Sequence, residues 1–246
     1  YGQVKPILTP RYTPTCTDAC MEGLQVLSEK YQVPVQSHLS EGLDEIEWVK
    51  QLKPGLSCYG EAYDMYDLLG SKQPAVMAHV VHPNEAEYEL IKHRNVLVAH
   101  CPQSNTNAAN GVAPILQMVH DGIRVGLGTD MAGGYNLNLL RTMTDAIQSS
   151  KLRWCFTERN GDPFAKKNFL TVANAFYLAT KGGGSFFGKV GSFEPDYEFD
   201  AVVLDDAALA DFVERPVQDR FQRILWLYTA DTVTAKFIQG TCVYQA

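Results

Sequence analysis

Through the first 150 or so residues, short runs of apolar and β-branched residues alternate with longer stretches whose apolar positions recur at helical spacing. The strand-like runs are 4–8, 34–38, 75–79, 96–100 and 123–127. The helical patterns lie near 18–31, 42–52, 84–93 and 114–121, and a further one covers 137–152. Strands that alternate with helices predict βαβ units around a parallel, buried sheet, because parallel neighbours need a crossover between them. After residue 150 the pattern changes. The stretch 170–178 reads as one more amphipathic helix, ended by Gly182-Gly183-Gly184. Beyond it, 197–205 and 232–244 read as strands, the second pair flanking Gly240. The expected fold is α/β: the later βα units of a (β/α)8 barrel over residues 1–190, then a small β appendage over 191–246 with a helical or loop insert.

The ends of the five strand-like runs share a property. Arg11 follows the first after Thr9-Pro10, His38, His79 and His100 close the next three, and Asp130 follows the fifth. The C-terminal edge of a parallel barrel is where βα loops build active sites, so a titratable group there five times in succession points to chemistry. Closing such a barrel needs eight strands, and five are visible, so either the sheet is open or three strands lie outside this chain; the expectation is the second. The opening Tyr1-Gly2-Gln3 has no initiator Met and looks cut.

Composition narrows the function. With 246 residues and 46% apolar content the chain can bury a substantial core. A net charge of −7, without a basic run, argues against a nucleic-acid partner. The apolar runs are too short to span a bilayer, and no signal or transit sequence opens the chain. The six cysteines show no paired CxxC spacing, which suits reduced thiols in the cytoplasm better than a structural metal site.

Three local signals carry chemistry. Ser37-His38-Leu39-Ser40-Glu41 offers an imidazole and a carboxylate to one cavity, although His near Glu is also ordinary polar surface. Val76-Met77-Ala78-His79 ends an apolar strand on a histidine, a pattern that a hydrogen-bonded core residue also produces. Leu127-Gly128-Thr129-Asp130 sets a carboxylate among small residues, where a metal ligand or a helix cap would both fit. Taken together, imidazoles and carboxylates at strand ends are the groups a hydrolytic zinc site uses, the metal lowering the pKa of its water and a separate carboxylate moving protons. His38 and Asp130 make two ligands, and such a site takes at least three. His82, His93 and His120 read as surface residues, and His100 as a structural hydrogen-bonding one.

At this point the chain resembles the guanine deaminases of the amidohydrolase superfamily. The resemblance rests on VKPILTPRYTPTC at 4–16, SHLSE at 37–41, VMAH at 76–79, AHCPQSN at 99–105, GLGTDMAGGY at 126–135 and GSFEPDYEFDAVVLD at 191–205. It implies a (β/α)8 barrel with one zinc per subunit, a β-sandwich built from both chain ends, and a cytoplasmic homodimer that hydrolyses guanine to xanthine and ammonia. By motif match, His38 and Asp130 would ligate zinc, with Asp130 also the general base. Glu41 would shuttle protons to the purine ring and His79 would orient the metal-bound water. Arg11 and Tyr12 would recognise the base, and His38, Glu41 and Asp130 would face it as well. The HxH pair that the family carries after its first barrel strand has no counterpart here. Two other readings stay open: a sister aminohydrolase or chlorohydrolase, and a non-catalytic barrel relative serving as an interaction module.

Overall fold

The computed structural model describes residues 4–246. Helix α1 (Asp18–Tyr31) leads into a parallel sheet of strands β1 (Val35–Leu39), β2 (Ala75–His79), β3 (Leu97–His100) and β4 (Arg124–Leu127). Helices α2 (Leu43–Leu52) and α3 (Glu61–Asp64) join β1 to β2, α4 (Glu85–His93) joins β2 to β3, and α5 (Pro102–Asn107) and α6 (Ile115–His120) join β3 to β4. The strand order is sequential, β1-β2-β3-β4, with every pair parallel. These are four consecutive βα units, the arrangement that the alternation of patterns predicts. Registers such as His38 opposite Ala78 and His100 opposite Leu127 bring the strand ends to a common edge.

The expected strand at 4–8 contributes a single residue. Leu8 donates its N–H to the Pro34 carbonyl at 2.9 Å and accepts from Gln36 N at 2.8 Å, an isolated parallel bridge beside β1. Pro6 has no N–H to give and Pro10 fixes the backbone just beyond, so a ladder cannot extend in either direction.

Helix boundaries follow capping chemistry. Thr17 accepts from Cys20 N at the start of α1, and Asn84 accepts from Glu87 N at the start of α4. The core lies between sheet and helices: Leu39, Leu68, Leu69, Met77, Ile91, Val98 and Met118 are fully buried. Each contributes about 2 kcal/mol by leaving water.

Helix α7 (Leu139–Arg153) and α8 (Val172–Tyr177) complete this layer. Here the glycine run departs from expectation. The backbone does not stop at Gly182 but passes through a π-helical turn, Leu178–Gly182, and on into a 3₁₀ turn at Ser185–Phe187. That turn lies directly on β4. A Cβ at Gly126 would stand 2.7 Å from Gly183 Cα, and one at Gly182 would stand 2.7 Å from the Val125 carbonyl. The glycines are there for close contact between this turn and β4.

The C-terminal part holds a separate antiparallel sheet, β5 (Ala201–Leu204), β6 (Val233–Ile238) and β7 (Thr241–Gln245), in the order β5-β6-β7. A hairpin at Gln239-Gly240, both at positive φ, links β6 to β7. Helix α9 (Val217–Leu227) turns Ile224 and Leu225 into the interior. No helix among the described residues is long and apolar enough to cross a membrane.

Candidate functional site

The C-terminal edge of the parallel sheet is also where the backbone is strained. Ser40, His79, Val80 and Asp130 all sit at positive φ without being glycine. Each costs energy and is held by its surroundings, a pattern that clusters at functional sites. Here the holding bonds are explicit: Val80 N donates to the Leu39 carbonyl at 2.9 Å, and Val81 N to the Ser40 carbonyl at 3.0 Å.

The end of β1 is fastened to the segment that carries Arg11 and Tyr12. Ser37 Oγ donates to the Pro10 carbonyl at 2.8 Å, and His38 Nδ1 lies 2.5 Å from the Arg11 carbonyl. That carbonyl can only accept, so Nδ1 carries the proton and Nε2 keeps a free lone pair. Tyr12 stands edge-on to the His38 ring at 6.5 Å and to Trp48 at 6.3 Å, with the Arg11 guanidinium 5.4 Å from its centroid.

His79 is buried and its ring stacks on His38 at 5.3 Å. Its Nδ1 pairs with Asn105 Oδ1 at 2.8 Å. Its Nε2 lies 3.4 Å from Glu41 Oε2, within ion-pair reach but without a hydrogen bond, so this buried atom has no protein partner. Glu41 is held elsewhere: Asn110 Nδ2 donates to its Oε1 at 2.9 Å, and its own N–H donates to Glu45 Oε2 at 3.3 Å. Burial raises the Glu45 carboxyl above its ordinary value, and the Tyr59 hydroxyl, 2.8 Å away, partly offsets this. Tyr59 in turn contacts the Tyr63 hydroxyl, which donates to the His38 carbonyl at 2.9 Å.

These groups open on a cavity of about 280 Å³ lined by Arg11, Tyr12, His38, Glu41, Glu45 and Asn110. The volume is at the small end for ligand sites and suits a bare heterocyclic base. Asp130 stands at the same sheet edge but outside this lining. Among the described residues no hydrogen bond or ion pair joins it to His38 or Glu41. Nearby, burial, then the charges of Asp130 and Glu41, push the Cys101 thiol up to about 12. His100 lies beneath, fully buried, and burial together with His79 lowers its pKa to about 3.

A metal was expected on His38 and Asp130. The donors fit in kind, since His38 has its Nδ1 anchored by a carbonyl and its Nε2 free, the outer-shell arrangement of ligating histidines. They fall short in number: no group of three His, Cys, Asp or Glu among the described residues could hold an ion. His82, expected as plain surface, instead lies 2.6 Å from the Asn110 carbonyl through Nε2. Glu45 and Asn110 escaped sequence reasoning altogether; the Asn110-Gly111 turn dipeptide was the available signal.

Comparison with known proteins agrees with the geometry. The model of the amidohydrolase family matches residues 2–225. A guanine deaminase of Dictyostelium discoideum is 36% identical over 244 residues, covering 96% of this chain and 52% of its own length. The chain thus spans about half the length of the curated relatives it matches. Among solved structures, guanine deaminase from C. acetobutylicum with bound guanine in the active site superposes with a TM-score of 0.91 at 42% identity, over 99% of this chain and 56% of that one. An adenosine deaminase from Xanthomonas campestris with bound zinc shares the fold, with a TM-score of 0.76 at 24% identity over 95% of this chain and 50% of that one.

Proposed function

The chain belongs to the amidohydrolase family, and we propose that it supplies the base-recognition and proton-handling half of a guanine deaminase. The observation that carries this is the three-part contact at the sheet edge. The His79 ring lies against His38 on one side and within 3.4 Å of Glu41 on the other, beside a cavity walled by Arg11 and Tyr12. The reaction is guanine plus water giving xanthine and ammonia.

Arg11 presents a planar fork of donors that suits the acceptors of a purine edge. Tyr12 and Trp48 form an aromatic corner against which the base can pack. Glu41 is the proton carrier: it takes one proton of the attacking water to a ring nitrogen, and the second, released from the hydroxyl added to the ring carbon, passes by way of Asp130 to the amino group, so that the C–N bond breaks and neutral ammonia leaves. Asn110 holds one carboxylate oxygen and leaves the other beside His79, which fits that shuttling role. His79, its Nδ1 fixed by Asn105, orients the water through Nε2. Asp130 is the general base and, with His38, one of two residues of this chain that would hold zinc, one ion per subunit. Zinc, when bound, makes hydroxide available near neutral pH. Two donors are one short of what a zinc site takes. A cytoplasmic homodimer, and a boundary near residue 190 between barrel and appendage, belong to the same proposal.

Zinc analysis and a xanthine-formation assay on Glu41→Gln and His38→Ala in the whole protein test it. Glu41→Gln should keep its zinc while turnover falls by roughly 10²-fold or more, the scale of lost general acid–base catalysis. His38→Ala should lose both metal and turnover. Loss of zinc from the Gln variant would make Glu41 a ligand and overturn this division of roles.

A further inference from the structure

The loop that follows β3 reaches the site twice. Asn105, on α5, pairs with His79 Nδ1 at 2.8 Å, and Asn110, five residues on, donates to Glu41 Oε1 at 2.9 Å. The two asparagines are joined by their own backbone, since Asn110 N donates to the Asn105 carbonyl at 2.9 Å. Asn105 N is anchored in turn on the Cys101 carbonyl at 3.1 Å. From the other side His82 Nε2 grips the Asn110 carbonyl at 2.6 Å. One closed turn of chain therefore touches both groups assigned to proton handling, although Glu41 lies 69 positions from Asn110 in sequence.

We propose that Asn110 is a positioning residue for the deamination reaction: it fixes the Glu41 carboxylate in the rotamer that leaves Oε2 beside His79, and His82 and Asn105 hold it in place to do so. The inference rests on the reading of Glu41 as the proton carrier. The physical argument is geometric. A glutamate at a cavity wall has three rotatable bonds, and proton transfer needs its oxygen within hydrogen-bond reach of the reacting atoms. A single amide donor to one oxygen, itself pinned at its carbonyl and its N–H, removes that freedom without occupying the oxygen that faces the reaction. Asparagine suits the task because its Nδ2 can only donate and is uncharged, so it holds the acceptor oxygen without adding a competing base.

The test compares the whole protein with Asn110→Ala and Asn110→Asp. Asn110→Ala should lower kcat by roughly tenfold, the worth of a hydrogen bond to a charged group, with KM for guanine unchanged. Asn110→Asp keeps the shape and replaces the donor by an acceptor, so its kcat should fall at least as far while its melting temperature stays near that of the parent. A rise in KM with kcat retained would make Asn110 a substrate contact and overturn the proposal. So would an unimpaired Asn110→Asp enzyme. A second measurement reads the contact without turnover: selective ¹³C labelling of glutamate carboxyls, with Glu41→Gln identifying the Glu41 signal. That signal should move in Asn110→Ala, and a signal that stays put refutes the positioning role whatever the assay gives. A parent protein that forms no xanthine at all would instead refute the deaminase reading and leave this contact to be judged by the label.

Discussion

Glu87 gives the sharpest stability prediction because the site chemistry does not enter it. The side chain sits in the first turn of α4 and is 1% exposed. Its Oε1 accepts from Gly60 N at 2.9 Å, and the Ser40 hydroxyl close by also favours the charged form. Burial outweighs both and raises its pKa from 4.5 to about 7. A carboxyl with a raised folded pKa binds more protons folded than unfolded between those two values, so stability falls as pH rises through that window. At about 1.4 kcal/mol for each pKa unit, the ionised side chain costs the fold about 3 kcal/mol by pH 8 and about 1 kcal/mol at pH 5. Glu87→Gln keeps the acceptor for Gly60 N, and Ser40 Oγ can accept from the new amide. The variant should therefore be the more stable protein, by an amount that grows with pH. For a chain of this size the melting temperatures should differ by roughly 6–12 °C at pH 8 and far less at pH 5. Differential scanning calorimetry at the two pH values measures this. A difference that is the same at both, or a Gln variant that melts lower at pH 8, would refute the reasoning.

Two further outcomes follow from the same packing. His100, buried and held at about 3 instead of 6.5, binds fewer protons folded than unfolded between those values, so stability should be lost as pH falls through them. By pH 4 the loss is about 3 kcal/mol, and His100→Asn should flatten the acid limb of a urea-midpoint-against-pH curve, whereas an unchanged limb would exonerate His100. Gly126→Ala drives a methyl against Gly183 Cα at 2.7 Å and should cost about 1–3 kcal/mol in urea unfolding. Gly183→Ala, whose nearest neighbours lie at 3.3 and 3.7 Å, should cost clearly less, and the reverse order would show that the turn packs differently on β4.

What the sequence made legible is what periodicity encodes. Alternating patterns located the four paired strands to within a residue or so, because strands buried on both faces are written as apolar runs. The same logic placed His38, His79, His100 and Asp130 at one edge, since a parallel sheet puts every strand's C-terminus on the same side. Three features lay outside periodicity. The run 4–8 is apolar enough for a strand, but its prolines leave Leu8 a single bridge. Gly182-Gly183-Gly184 has the composition of a helix stop, yet serves a close approach to β4 that no local rule reveals. Asn84 and Glu87 have capping-box spacing, but only Asn84 caps; the glutamate turns inward to Gly60, 27 positions earlier.

The division has a physical basis, and it runs through the site itself. His38 and His79 close neighbouring strands of a parallel sheet, so strand position alone predicts the edge at which they stand. Whether their nitrogens and the Glu41 oxygens are usable depends on partners from loops: the Arg11 carbonyl on His38, Asn105 on His79, Asn110 and Glu45 on Glu41. Those contacts span between four and 69 positions and follow no repeat. They also explain why residues at positive φ are tolerated at the strand ends. A distorted His79 or Ser40 costs on the order of 1–3 kcal/mol each, and the backbone bonds from Val80 and Val81 together with the Asn105 bond to His79 offset part of it. The strand ends thus place the imidazoles, while the loops decide their rotamers and tautomers. On the deaminase reading proposed above, a substitution in the loop after β3 should therefore change turnover before it changes the fold.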